Sequence, residues 1–393
     1  MRRTATIVGL AFLAWQPARA QLPSIFPAHH HLIDTWYPKL LYSSSEGLTA
    51  GGYYAIINPI RFGDEDYRPI YKWALTLDGH ASTSGSREVT LAFNAPATIR
   101  GWRFNFALAA QRRSREQYFG IGNNSVFDSA NETDAQPFFY RSRNIRRFFA
   151  GDVQRRIFAD LWFLTGFNIE RWRIEPLSQL GQIAIDSVLG IDPTIGVTQG
   201  DVSGKVGLIW DSRSDEAAPR SGLLLEAIYG AADADFAGDH TYTRTTVSAS
   251  GYLPVGRRVV LAGRAMGQNM GGTPRLGSYY IVDSGRRRYD GIGGSSHRAL
   301  TDNRLLGRGK LLFNFDLRYG LFPHPTFVPV TFVWFVDAGR VFQSEEFRIT
   351  LDGMKVGSGG GLFVQIGRAG ILGVTAGVGP DGLEWELHTR WPF

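Results

Sequence analysis

Large apolar side chains and polar ones alternate with a period of two along most of this chain. In Leu383-Glu384-Trp385-Glu386-Leu387-His388-Thr389-Arg390-Trp391-Pro392-Phe393 the odd positions are mostly large and apolar, while the even ones carry Glu, Glu, His, Arg and Pro. Upstream, Leu311, Phe313, Phe315, Leu317, Tyr319 and Leu321 share one face, and Lys310, Asn314, Asp316 and Arg318 share the other. Trp102, Phe104, Phe106 and Leu108 alternate with Arg103 and Asn105; Val206, Leu208 and Trp210 with Lys205 and Asp211; Leu161, Phe163, Phe167 and Ile169 with Asn168 and Glu170. Successive side chains of a strand point to opposite faces, so each segment reads as a strand with one apolar and one charged face. A soluble sandwich would not turn its aromatics outward while packing charge inward. The pattern predicts a wall with Trp102, Trp210, Phe313 and Trp385 facing lipid and the charges facing a hydrated or ion-paired interior.

Sixteen such segments are expected, at 38–43, 48–58, 69–81, 87–96, 99–117, 138–151, 156–173, 203–212, 222–231, 241–254, 257–269, 308–321, 328–341, 354–367, 369–379 and 383–393. An even count returns the chain to its starting side, as a single-chain bacterial barrel requires. The connections 118–137, 174–201 and 270–307 are long and all follow odd strands; those at 254–256, 322–327 and 367–368 are short and follow even ones. The expected fold is all-β, a transmembrane antiparallel β-barrel with long loops at one end and both termini at the other.

Composition sharpens this picture. The 393 residues include 47 Gly, 26 Phe, 15 Tyr and 10 Trp, and no Cys. Abundant glycine and aromatics suit a curved wall with a lipid-facing girdle; the lack of cysteine excludes disulfides and thiol-bound metal. Beyond residue 20 no apolar run approaches the ~18 residues of a membrane helix. Residues 1–20 read as an export signal: Arg2-Arg3, an apolar stretch from Ala5 to Trp15, and the small-x-small site Ala18-Arg19-Ala20. Cleavage there removes three arginines and no acids, so the net charge of +6 falls to +3. A charge that weak, scattered singly on strands, gives no reason to expect nucleic acid as a partner. Residues 21–37, with His29-His30-His31, are too short for a domain and read as a periplasmic arm ahead of a barrel at 38–393. Three adjacent histidines make a poor metal site, and no metal or other cofactor is expected.

Four stretches resemble the BamA-type superfamily of outer-membrane assembly and transport proteins, the bacterial surface antigen family. They are Tyr42-Ser43-Ser44-Ser45-Glu46-Gly47 with Gly51-Gly52; Gly207-Leu208-Ile209-Trp210-Asp211-Ser212-Arg213 with Pro219 and Gly222; Gly293-Gly294 and Arg298 followed by Asn314-Phe315-Asp316-Leu317-Arg318-Tyr319; and Val336-Asp337-Ala338-Gly339-Arg340-Val341-Phe342. The resemblance implies that the long loop at 270–307 is extracellular and folds back into the lumen, and that its motif arginine, here Arg298, pairs with the aspartate of the thirteenth strand, here Asp337. It marks Gly293 and Gly294 as loop-motif positions, and Gly339 and Phe342 as strand-motif positions. Asp337 falls on the inward phase, opposite Val330, Phe332, Trp334 and Val336, and a confined arginine needs such a partner. The tip departs from the family's arginine-glycine-aromatic pattern: it reads Arg298-Ala299-Leu300. Typical members also carry periplasmic POTRA domains ahead of the barrel, so the resemblance is to a short, barrel-only form.

The last residues, Trp391 and Phe393 with Leu387 in phase, resemble the signal by which the barrel-assembly machinery recognises its clients. Two functions follow as expectations. One is insertion or translocation of protein or lipid with a separate periplasmic partner; the other is a plugged structural or partner-binding barrel. Outer-membrane lipids and the assembly machinery are expected partners, and a second copy of the chain remains open. No enzyme is expected: the eight histidines lie near no serine motif of a hydrolase, and Glu384 and Glu386 read as lumen lining.

Overall fold

The protein is described from a computed structural model covering residues 32–43, 46–60, 68–285, 288–322, 329–366 and 370–393. The histidine triplet and residues 1–31 lie outside the described residues. The strands are β1 (Ile33–Ser43), β2 (Gly47–Pro59), β3 (Tyr71–Ser82), β4 (Arg87–Ile99), β5 (Trp102–Gln117), β6 (Arg141–Phe158), β7 (Leu161–Pro176), β8 (Gln199–Asp211), β9 (Gly222–Ala232), β10 (Tyr242–Val255), β11 (Val259–Gly272), β12 (Ile281–Asp283), β13 (Arg288–Asp290), β14 (Gly309–Gly320), β15 (Val330–Phe342), β16 (Lys355–Ile366), β17 (Gly370–Gly379) and β18 (Gly382–His388). All but β12 and β13 form one 16-stranded antiparallel sheet in chain order, each strand beside its predecessor. The thirteenth strand of that sheet is β15.

Period-two patterning accounts for the sheet. On β7, Trp162, Leu164, Asn168 and Glu170 are buried while Phe163 and Ile169 are exposed. On β8, Val206 and Leu208 are exposed and Asp211 is buried. Trp102, Trp210 and Phe313 take the exposed phase of their strands, and Trp385 is 64% exposed. The inner face carries charge on neighbouring strands, and ion pairs satisfy much of it. No helix among the described residues is long and apolar enough to cross a membrane. The longest connections keep the expected parity, although 60–70 and 212–221 after even strands are longer than 83–86 and 380–381 after odd ones. Segments 118–140, 177–198, 273–308 and 343–354 lie at one end, and the tight turns 100–101, 159–160 and 256–258 at the other.

Two ends of the chain differ from expectation. Strand β1 starts at Ile33, so residues 33–37, expected in the arm, pair with β2 from Ile33↔Ile57 onward. Strand β18 stops at His388 rather than running to Phe393. Leu383, Trp385 and Leu387 keep the outward phase, but Trp391 and Phe393 are only 6% and 4% exposed. The Trp391 ring stacks on Phe363 at 4.3 Å and packs with Val333, Phe335 and Ile371. Phe393 packs with Tyr252, Val260 and Ala262 on β10 and β11. The expected outward placement of these two aromatics is therefore corrected: after His388 the alternation lapses and the tail crosses the inner face. A proline at 392 cannot donate to a ladder, which favours that departure.

Candidate functional site

Segment 273–308, between β11 and β14, is the largest element outside the sheet. It opens with a 3-10 turn at Leu276–Tyr280, forms the hairpin β12–β13, and closes through a compact tip around residues 291–305. It touches strands from β5 to β17. Asn303 donates to Glu116 of β5 at 2.7 Å, Gln154 of β6 to the Gly285 carbonyl at 3.1 Å, and Gly285 N–H to Glu226 of β9 at 3.0 Å. Lys205 of β8 pairs with Asp283 at 3.1 Å, and Lys310 of β14 donates to the carbonyls of Tyr279 and Ile281 at 2.6 and 2.8 Å. Laid flat, the strands from β5 to β17 would span roughly 50 Å at the usual ~4.8 Å spacing. Ala299, against β17, and Asn303, bonded to β5, are only four residues apart, at most ~14 Å of chain, so the sheet curls to bring these strands to one tip.

The tip carries the densest set of contacts. Gly293 and Gly294 adopt φ of 134° and 55°, and side chains there would collide with the Thr301 carbonyl and Asp302. This left-handed pair closes a turn in which Gly294 N–H bonds Leu300 O at 2.8 Å and His297 N–H bonds Gly294 O at 3.0 Å. The turn aims Arg298 at the wall. Its backbone N–H, Nε and Nη2 reach the Asp337 carboxylate at 2.8, 2.9 and 2.7 Å. The two side chains form a bidentate, fully buried pair. Its geometry is that of a charge-assisted fork.

Sequence reasoning missed a second carboxylate. Asp316 of β14 meets Arg298 Nη2 at 2.7 Å and holds Arg318 at 3.0 Å with its other oxygen. Asn314 donates to Asp337 at 2.7 Å and also to the Ser296 carbonyl at 2.9 Å. The Arg298 guanidinium lies 4.0 Å over the Phe335 ring. Asn314, Asp316 and Arg318 do share the inward phase in the sequence, which was the available signal; which of them meets the tip depends on loop depth. Arg318 extends the cluster toward the tail: its guanidinium lies 4.3 Å from the Trp391 ring and donates to the Phe393 carbonyl at 3.3 Å.

Of the strand-motif residues, Gly339 lies under the tip, close to Ile292 and the His297 ring. Phe342 takes the opposite phase and packs edge-on against Phe347 at 5.6 Å, so it shapes the 343–354 connection rather than the lock. His297 and the neighbouring Ser296 both serve the fold of the tip. The His297 Nε2–H donates to the Lys355 carbonyl at 2.9 Å, and Ser296 Oγ is taken up by Gly291 and Gly293. Burial holds the His297 pKa below its ordinary value, so the ring is neutral at pH 7. Among the described residues no group of three or more His, Asp or Glu is placed to hold a metal ion.

The altered tip has a physical account. Ala299 is fully buried and lies against Gly357, Gly377 and Gly379 of β16 and β17, where the wall has no side chains. Leu300 packs with Met266, Ile292, Leu305, Leu312 and Val341. The Ala299 methyl occupies space the wall glycines leave open. A Cβ at Gly379 would overlap the Ala299 carbonyl oxygen. We expect Gly379→Ala to lift the tip and destabilise the docked segment by about 1–3 kcal/mol. Protease cleavage within 273–308 should rise; an unchanged cleavage pattern would show that the tip tolerates the collision.

A second anchor holds the start of the segment. Arg275 is 1% exposed, pairs with Glu170 and with Asp201 (3.3 Å), and lies over Trp172. Arg146 reaches the same Glu170 at 2.7 Å. Beside the segment a cavity of about 460 Å³ remains, lined by both signs of charge, including Arg103, Lys205, Asp152 and Glu226.

A curled antiparallel sheet with an apolar outer face and a long connection held by buried arginines against its charged inner face is the architecture of an outer-membrane β-barrel protein. The Omp85 superfamily domain matches residues 75–373, and the chain belongs to that superfamily. Among solved structures it is similar to BamA from Haemophilus ducreyi lacking POTRA domains 1–3, with TM-score 0.55 and 13% identity over 90% of this chain and 68% of that one. It is also similar to CdiB from Escherichia coli, with TM-score 0.56 and 15% identity over 92% of this chain. The chain spans 63% of that CdiB chain. No curated protein matches it in sequence. The protein resides in the bacterial outer membrane.

Proposed function

We propose that this protein is an outer-membrane insertion or translocation barrel that works with a periplasmic partner. The observation that carries this reading is where the sheet has room to open. Segment 273–308 lies against the inner face of strands from β5 to β17, with a cavity of about 460 Å³ beside it. Among the described residues, in contrast, β1 pairs with β2 alone and β18 with β17 alone. On this reading the two edge strands close the barrel weakly against each other, and substrate passes at that seam. The edge of β1 is apolar toward lipid, with Trp36 61% and Leu40 64% exposed. A periplasmic partner would deliver the substrate, as the family resemblance implies.

The second reading, a plugged structural barrel, is favoured by the buried ion pairs that fasten the segment along its length. The chain has no cysteine, so one engineered pair across the seam is unambiguous. Cysteines at Leu40 and Trp385, oxidised in cells, should block accumulation of the client proteins or lipids in the outer membrane, and reductant should restore it. Unimpaired accumulation with the seam fully cross-linked would leave the structural reading in place.

A further inference from the structure

On the outer faces of β4 to β7 the side chains fall into rows set by the strand register. One row is Leu91↔Leu108↔Phe149↔Ile169, exposed by 41, 55, 42 and 49%. The next row toward the long-connection end is Val89↔Ala110↔Arg147↔Arg171, and the one after it is Arg87↔Arg112↔Ile145↔Arg173. Rows on one face are ~7 Å apart. The surface thus changes within one step from apolar to cationic. Arg87, Arg147, Arg171 and Arg173 are exposed, and Arg112 is half-buried.

Four of these five arginines lack counter-ions of their own. Glu175 is the one acid in the outward phase of these four strands there, and it is taken by Arg143 at 2.9 Å and Arg173 at 2.8 Å. Arg87, Arg112, Arg147 and Arg171 make no hydrogen bond or ion pair among the described residues, and Arg112 Nε is buried without a partner. Two of the pairings, Arg87↔Arg112 and Arg147↔Arg171, set like charges directly opposite each other. Such pairs destabilise a sheet. Arg156 and Arg103, by comparison, lie over Trp162 on the inner face. An anionic ligand bridging both rows would relieve the repulsion, and guanidinium forks match phosphate oxygens.

We propose that these two rows bind an outer-leaflet glycolipid whose headgroup carries more than one phosphate, with its acyl chains on the Leu91–Ile169 row. The apolar row directly below selects an amphiphile over a free anion. Four unpartnered guanidiniums spread over four strands, roughly 15 Å wide, suit two phosphates better than one. The site lies at the end with the long connections, and it is independent of whether the barrel transports anything.

The test uses the purified full chain in zwitterionic micelles, titrated with a bisphosphorylated acyl-disaccharide, its dephosphorylated analogue and inorganic phosphate, with bound lipid read by native mass spectrometry. The bisphosphorylated lipid should bind, and Arg147→Gln with Arg171→Gln should weaken it by about tenfold, as loss of ~1.4 kcal/mol predicts. Arg147→Lys with Arg171→Lys should retain most of the binding. Equal binding of the dephosphorylated lipid, equal binding by the double Gln variant, or displacement by inorganic phosphate would each overturn the proposal. If the Gln variant does not fold, the wild type decides. Binding that weakens steeply with salt supports the site, and binding indifferent to salt overturns it.

Discussion

Asp337→Ala is expected to be the most damaging single change in the interior, lowering stability by about 3–5 kcal/mol, and adding Arg298→Ala to it is expected to lessen the damage. The aspartate accepts from Arg298 N–H, Nε and Nη2 and from Asn314, and it is fully buried. Without it, Asp316 alone faces Arg298 and Arg318, with Arg264 close by on Asn314 at 2.9 Å. Guanidinium charge then exceeds carboxylate charge by one more than in the native cluster. Removing Arg298 as well restores the native excess and leaves the Asp316–Arg318 pair intact. The readout is the temperature at which the folded band is lost on heat-modifiability gels, with proteolysis of 273–308 beside it. Losses in the two single variants that simply add in the double variant would show that Arg298 and Asp337 are not coupled.

Trp391→Ala is expected to cost about 3–5 kcal/mol, the range for removing a buried aromatic. Its ring is sandwiched between Phe363 and the Arg318 guanidinium. This effect should appear when the urea-denatured chain refolds into lipid vesicles with no other protein present. The proposed role of the last residues as an assembly signal predicts something different for deletion of Phe393. Export should continue, vesicle refolding should fall modestly, and the amount assembled in cells should fall much further. Equal deficits in vesicles and cells would assign Phe393 to packing alone, on Tyr252 and beneath Arg264.

Most of the architecture was legible because a membrane wall with a charged interior enforces period-two alternation in every strand. That is why sixteen strands and the inward phase of Asp337 could be read from side-chain order. The Arg298–Asp337 pair was legible through resemblance, with phase as its physical support. Three features were not. Asp316 lies in phase with Asp337, but nothing local says that one guanidinium reaches both. The wall glycines at 357, 377 and 379 read as generic barrel glycines until Ala299 is seen against them. The tail was misread because alternation continues in the sequence through Trp391 and Phe393, while the ladder stops at His388. Period two reports that side chains alternate; it does not report where pairing ends.

Asn314 and Asp337 are register partners on β14 and β15, and both also bind the tip, through Ser296 and Arg298. A one-residue slip between these strands would turn one of the two away from the interior, and a two-residue slip would carry the carboxylate ~7 Å along the wall. In either case Arg298 loses the Asp337 fork and keeps only Asp316. Docking of segment 273–308 therefore acts as a checksum on strand alignment. Only a sheet paired correctly at its thirteenth strand offers the segment both partners, and a misaligned one would leave the segment undocked and open to protease.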